Sequence, residues 1–285
     1  MSTSLVSSAR WGFHQQLAKS TLTIDSEGVA SNADKAQAAS RSIALALAEV
    51  LGATRGEKLA GQTAGKNFEA IVADFIEATF PKLTAVRPGE WLVWRLSQAG
   101  RVGIADTEQF RHLLDVKRLS DEYPELRVAL GSDYLITPDI LVVRNPEPDE
   151  SINRLGIIAD GESARRTPLR MVNNSQPMAH ASVSCKWTMR SDRAQNSRSE
   201  ALNLIRNRKG RLPHIVVVTG EPTPTRISSL ALGTGDIDCV YHFALPELMD
   251  VVSRVGDQSG NEMLQMMVEG RRLRDISDLP FDLAV

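Results

Sequence analysis

ITPDILVVRN, residues Ile136–Asn145, contains the run that decides the fold. Ile140–Val143 is apolar at every position, the pattern of a strand covered on both faces, and the pair Pro138-Asp139 stands directly before it. Three further segments read the same way: HASVSCKW (His180–Trp187), HIVVVTG (His214–Gly220) and DCVYHF (Asp238–Phe243). WLVWRLS (Trp91–Ser97) reads as another strand. Helical spacing marks Ser40–Leu51, the set Phe68, Ile71, Val72, Phe75 and Ile76, the stretch Glu108–Leu119, and a polar helix from about Asp192 to Arg206. PEPDES, after the first strand, reads as a loop, and the chain beyond Phe243 reads as helical to about Leu273. Strands alternating with helices predict an α/β fold, a central mixed β-sheet flanked by helices. No repeat or linker composition divides residues 1–285, so one domain is expected.

Composition narrows the class. With 42% hydrophobic and 24% charged residues the chain can bury a sizeable core. No apolar stretch approaches the roughly 18 residues of a membrane span, and the first residues lack the order of a secretory signal, so a cytoplasmic protein is expected. Two cysteines without CxxC spacing and five scattered histidines exclude a disulfide framework and a zinc cluster. The net charge is −2, yet Lys186–Arg211 carries eight basic residues against Asp192 and Glu200, so that segment is +6 and the remainder −8. A basic strip on an acidic body suits a phosphate-binding face, although a solvated helix with a basic turn would look the same.

Chemistry enters with Asp139 and Lys186, 47 positions apart on successive apolar strands that can bring them together at one sheet edge. Phosphodiester hydrolysis needs a carboxylate to hold a divalent metal, a water nucleophile, and a cation near the scissile phosphate. Magnesium usually takes one or two carboxylates besides phosphate oxygens. Ser184 stands two before Lys186, where a second acidic residue is expected. Glu200, 14 residues after Lys186, can replace that charge if a helix aims it back at the sheet, and Glu69 lies beside an apolar helical face, where a carboxylate is paired or functional. Cys185 reads as a small hydrophobe. Immediately downstream, Arg190, Ser191, Asp192 and Arg193 sit where strand gives way to helix. Arginine can donate twice to guanine and aspartate can accept from cytosine, so this triplet of charges suits G·C pairs in a major groove.

These segments together resemble the NgoMIV type of type II restriction endonuclease, a CCGG-core family within the PD-(D/E)xK nuclease superfamily. The words that carry the resemblance are SNAD (Ser31–Asp34), GQT with FEA (Gly61–Ala70), GSDY and ITPDI (Gly131–Ile140), SCKWT and RSDRAQN (Ser184–Asn196), RNRKGRLPHIVVVT (Arg206–Thr219), EPTP with RISS (Glu221–Ser229), ALGTG and IDCVYHFAL (Ala231–Leu245), and DISDLP near the end. The resemblance is weak in the first twenty residues and across Gly161–Met178 and Glu247–Glu269. It implies the restriction-endonuclease-like fold, Mg2+, and cleavage of GCCGGC after its first G to leave a 5′ overhang. It also implies a homotetramer bridging two duplex DNA sites and a cognate DNA methyltransferase. Asp139 and Glu200 then hold metal with the Cys185 carbonyl, Lys186 is the catalytic lysine, and Glu69 and Ser184 complete the site. Arg190, Ser191, Asp192 and Arg193 are implied readers of the inner CCGG, Arg226 and Asp34 of the outer pair, and Gln62 a minor-groove contact. A structure-selective repair or recombination nuclease, and a non-cleaving DNA-binding module, are the alternatives. Base-edge donors argue against the first, and the set Asp139, Lys186 and Glu200 against the second.

Overall fold

A computed structural model describes residues 3–56, 60–96, 103–125, 128, 137–189, 191–233 and 235–285, with backbone alone at 191–194. Helix α1 (Leu5–Ser20) is capped by Ser4, whose hydroxyl accepts from the Ser7 N–H. Strands β1 (Thr23–Ile24) and β2 (Thr54–Arg55) pair in parallel and bracket α2 (Ala38–Val50). Then follow α3 (Gly61–Thr79), β3 (Trp91–Arg95), α4 (His112–Glu122), β4 (Ile140–Arg144), the single turn α5 (Asp149–Ile152) and β5 (Met178–Lys186). The remainder is α6 (Ser191–Asn207), β6 (His214–Thr219), α7 (Pro224–Ala231), β7 (Cys239–His242), α8 (Leu245–Val255), α9 (Gln258–Glu269), β8 (Leu273–Asp275) and α10 (Leu279–Asp282).

Six strands form the main sheet in the order β3-β4-β5-β6-β7-β8. Strand β4 runs antiparallel to both β3 and β5 and the rest run parallel from β5 onward, so β5 has an antiparallel neighbour on one side and a parallel one on the other. This is the mixed sheet the segment pattern predicts. Ile140–Val143 is fully buried, as is Val216–Val218 apart from traces, because helices cover both faces. Helix α3 buries Phe68, Ile71, Val72, Phe75 and Ile76, and with them Glu69. None of the described helices is long and apolar enough to cross a membrane.

Several expectations change. PEPDES is not all loop: Asp149–Ile152 makes a helical turn that begins after Pro148. The segment from Glu108 starts as a 3-10 turn, and its α-helix begins only at His112. The C-terminal stretch is two helices, broken at Gly256 and restarted by Asp257, whose carboxylate accepts from the Gly260 N–H. It then ends in β8, whose Leu273 and Asp275 face inward beside β7. A three-residue strand leaves too short an alternation to be distinguished from a helix end. Leu279 and Leu283 pack within the subunit, whereas Phe281 is exposed.

Candidate active site and DNA-reading surface

Asp139 stands one residue before β4, and Lys186 ends β5. The antiparallel register sets Ile140 opposite Val183, so these two strand ends coincide. They meet in mid-sheet and not at an edge, because β5 is flanked on both sides. Asp139 Oδ2 accepts from the Cys185 N–H at 2.6 Å and lies 3.6 Å from Lys186 Nζ. That placement is produced by the apolar runs themselves: burying both strands leaves their polar ends at the same opening.

The opening is a cleft of about 390 Å³ lined by Gln62, Lys66 and Glu69 of α3, by Asp139, Lys186 and Trp187, and by Asn196 and Glu200 of α6, with Cys185 in its wall. Residues 62, 65, 66 and 69 recur at helical spacing, and Asn196 and Glu200 are one turn apart, so each helix presents one face. Burial pushes the Glu200 carboxyl above its ordinary range; Lys186 partly counters this and Asp139 adds to it. Burial, reinforced by Asp139 and Glu69, raises the Cys185 thiol well above its usual value, so it stays protonated and is no nucleophile. Ser184 is buried and its Oγ has no hydrogen-bond partner among the described residues. Lys66 and Asn196 were not anticipated, although their spacing of three before Glu69 and four before Glu200 was a readable signal.

The donor set suits a divalent cation of the hard, oxygen-seeking kind. Two carboxylates disfavour each other's charge across one cleft, a repulsion that a cation between them relieves, and phosphate oxygens would complete the shell. Among the described residues no group of three or more His, Cys, Asp or Glu side chains is gathered as a metal site by itself. Asp139 and Glu200 with a main-chain carbonyl form a smaller set than that.

A second cluster adjoins the cleft. Arg226 forms an ion pair with Asp34 and donates from Nη1 to the Met189 carbonyl at 3.0 Å. Glu221, fully buried, accepts from the Met189 N–H at 2.8 Å, and burial raises its carboxyl despite these hydrogen bonds and Arg226. Asn32 donates to the Gly220 carbonyl at 2.8 Å. Gly220 must be glycine: a Cβ there would sit 2.5 Å from the Trp187 ring. The SNAD loop, the EPTP loop and the exit of β5 are thus tied together, and Asp34 and Arg226 are brought into contact. Arg226 lies in α7 and not on a loop, since Pro224 at its first turn opens a helix. Ser191, Asp192 and Arg193 occupy the first turn of α6, directly after Met189; Arg190 and GSDY lie outside the described residues.

The basic strip is not one face. Helix α6 is 17 residues long, about 25 Å, and separates Lys186 and the backbone of Arg193 at the cleft end from Arg208, Lys209 and Arg211 beyond its C-terminus. Arg198 is engaged by Asp236 at 2.6 Å and by the carbonyls of Ser229, Leu230 and Leu232.

Comparison with known proteins identifies the family. A protein called type II restriction enzyme NgoMIV, from Neisseria gonorrhoeae, is 52% identical over 275 residues, covering 96% of each chain. Among solved structures, a complex of the restriction endonuclease PspGI with substrate DNA covers 98% of this chain and 90% of its own at 14% identity and a TM-score of 0.26, too slight a likeness to carry an argument. Type II restriction endonucleases generally need divalent metal ions. A family model described as NgoMIV restriction enzyme matches residues 13–285, so the chain belongs to the NgoMIV restriction enzyme family and is a DNA-cleaving enzyme.

Proposed function

We propose that the protein is a Mg2+-dependent type II endonuclease that cuts both strands of GCCGGC after the first G, leaving 5′ overhangs. The observation that carries the reading is the meeting of Asp139 and Lys186, 3.6 Å apart, in a cleft that also holds Glu200 and Glu69. Asp139, Glu200 and the Cys185 carbonyl would hold the magnesium ion, which would supply Lewis-acid polarisation of the scissile phosphate. Lys186 places its ammonium where negative charge develops on the phosphoryl oxygens or, as the neutral amine, takes a proton from the attacking water. Asp139, held by the Cys185 N–H, orients that lysine. Glu69 and Ser184 support the site from the α3 and β5 sides. The paired Asp34 and Arg226 read the outer G·C pair, Arg190, Ser191, Asp192 and Arg193 read CCGG, and Gln62 reaches the minor groove.

The domain is proposed to span residues 1–285 and to work in the cytoplasm as a homotetramer on two DNA sites, beside a methyltransferase of the same specificity. Leu155, Ile157, Ile158 and Val172, all strongly exposed on the β4–β5 connection, support assembly. Plasmid digestion with Mg2+ and end sequencing tests the site. Lys186→Ala and Asp139→Ala are expected to abolish cleavage while specific binding in Ca2+ persists, because neither side chain reads a base. Full cleavage by either variant would remove the active-site assignment.

A further inference from the structure

The cations left over at the far end of α6 line a second pocket of about 440 Å³, on the opposite end of the sheet from the cleft. Strand β5 runs from Met178 in this pocket to Lys186 in the cleft, about 26 Å at the usual strand rise. Arg87, Arg144, Lys209 and Arg211 converge on it, against Glu108 on its wall. Arg144 is paired with Glu147 at 3.1 Å and lies over the Trp91 ring, and among the described residues the Arg87 guanidinium reaches only the Val285 carbonyl, at 3.5 Å. The Nε atoms of both Arg87 and Arg144 are buried without a hydrogen-bond partner among the described residues. Burial lowers the Arg87 guanidinium, and repulsion from Arg211 and Arg144 lowers it further. Unpaired guanidinium donors in a repelling set are what an anion would satisfy. Trp91, Leu169 and Met178 give the wall an apolar part, beside the polar Gln109 and His180, and the volume falls in the range of small-molecule sites.

We propose that this pocket binds a small phosphorylated ligand of nucleotide size, with its phosphate on the arginines and its planar body against the apolar part of the wall. The inference does not rest on the cleavage reading. It is tested by thermal unfolding of the full chain with AMP, adenosine or inorganic phosphate, for the parent and for Lys209→Ala/Arg211→Ala. Both replaced side chains are exposed, and the Tm of the ligand-free variant reports its folding. AMP well above its Kd is expected to raise the parent Tm by a few degrees, adenosine and inorganic phosphate by much less, and the double variant is expected to lose the AMP shift. Arg211→Lys should retain most of it. No shift in the parent, a shift that survives in the double variant, or adenosine or phosphate matching AMP would overturn the proposal.

Discussion

Arg226 connects three things at once: the Asp34 carboxylate, the Met189 carbonyl that precedes α6, and, at 3.9 Å, the buried Glu221. Its side chain is only about one-fifth exposed, so its geometry is set by protein partners before any DNA arrives. An arginine held this way is suited to one base pair, since a bidentate contact with guanine requires a fixed plane. Arg226→Ala is therefore expected to cost roughly 1–3 kcal/mol of discrimination, chiefly at the outer pair of GCCGGC. Binding to a panel of duplexes with single-pair substitutions checks this. Equal weakening on every duplex, with a shallower salt dependence, would mean that Arg226 only contacts phosphate.

Elements at the α1 edge are joined by a charge network. Arg10 of α1 donates to both oxygens of Glu247 in α8, at 2.8 and 2.6 Å, and to both oxygens of Asp275 in β8, at 2.8 and 2.9 Å. Asp275 is almost wholly buried and also accepts from the Leu245 N–H. Removing Arg10 leaves that carboxylate its neutral hydrogen bonds from Leu245 and Ser277 but takes away its countercharge, and Arg10→Ala should lower stability by about 3 kcal/mol in urea unfolding. A loss below 1 kcal/mol would show the network to be dispensable. Neither Arg10 nor β8 stood out in the sequence, because a partner 265 residues away leaves no local period. What did stand out were runs whose burial and spacing are local: Ile140–Val143, His214–Val218, and the face of α3. Asp139 and Lys186 were legible as a pair because each adjoins such a run. Lys66 was legible only through its helical spacing from Glu69, since an exposed lysine by itself resembles any other. The division of the basic residues by α6 was also hidden, since a count along the chain cannot show that a helix sets its two ends far apart.

Over the whole molecule the titration pattern sets the response to acid. All five histidines are held below their ordinary value, burial being the largest cause in each. For His180 and His242 the value is about 4. The unfolded chain binds protons at these two positions from about pH 6.5 downward while the fold does not, so their contribution is complete above that pH and falls toward pH 4. The loss by pH 5 is roughly 2 kcal/mol each. Glu200, Glu221 and Asp278, held high mainly by burial, act in the opposite sense and offset part of it. Urea midpoints are expected to be lower at pH 5 than at pH 7; equal or higher midpoints at pH 5 would contradict the balance drawn here. The connection between β4 and β5 has a different consequence at this scale. Arg144 stands opposite Met178, so the 33 residues between them leave the sheet and return to adjacent antiparallel positions. That excursion is stitched largely to itself, with Arg170 clasping Asp149 and the carbonyls of Asp160 and Ser163, and Asn153 bonding Ala159. It is a detachable arm: a short hairpin turn spans the same gap. Replacing residues 146–176 with such a turn should leave cooperative unfolding intact and, if the arm's exposed leucine and isoleucines join subunits, yield a particle of smaller sedimenting mass. A shortened chain that does not fold would show that the arm is instead part of the core.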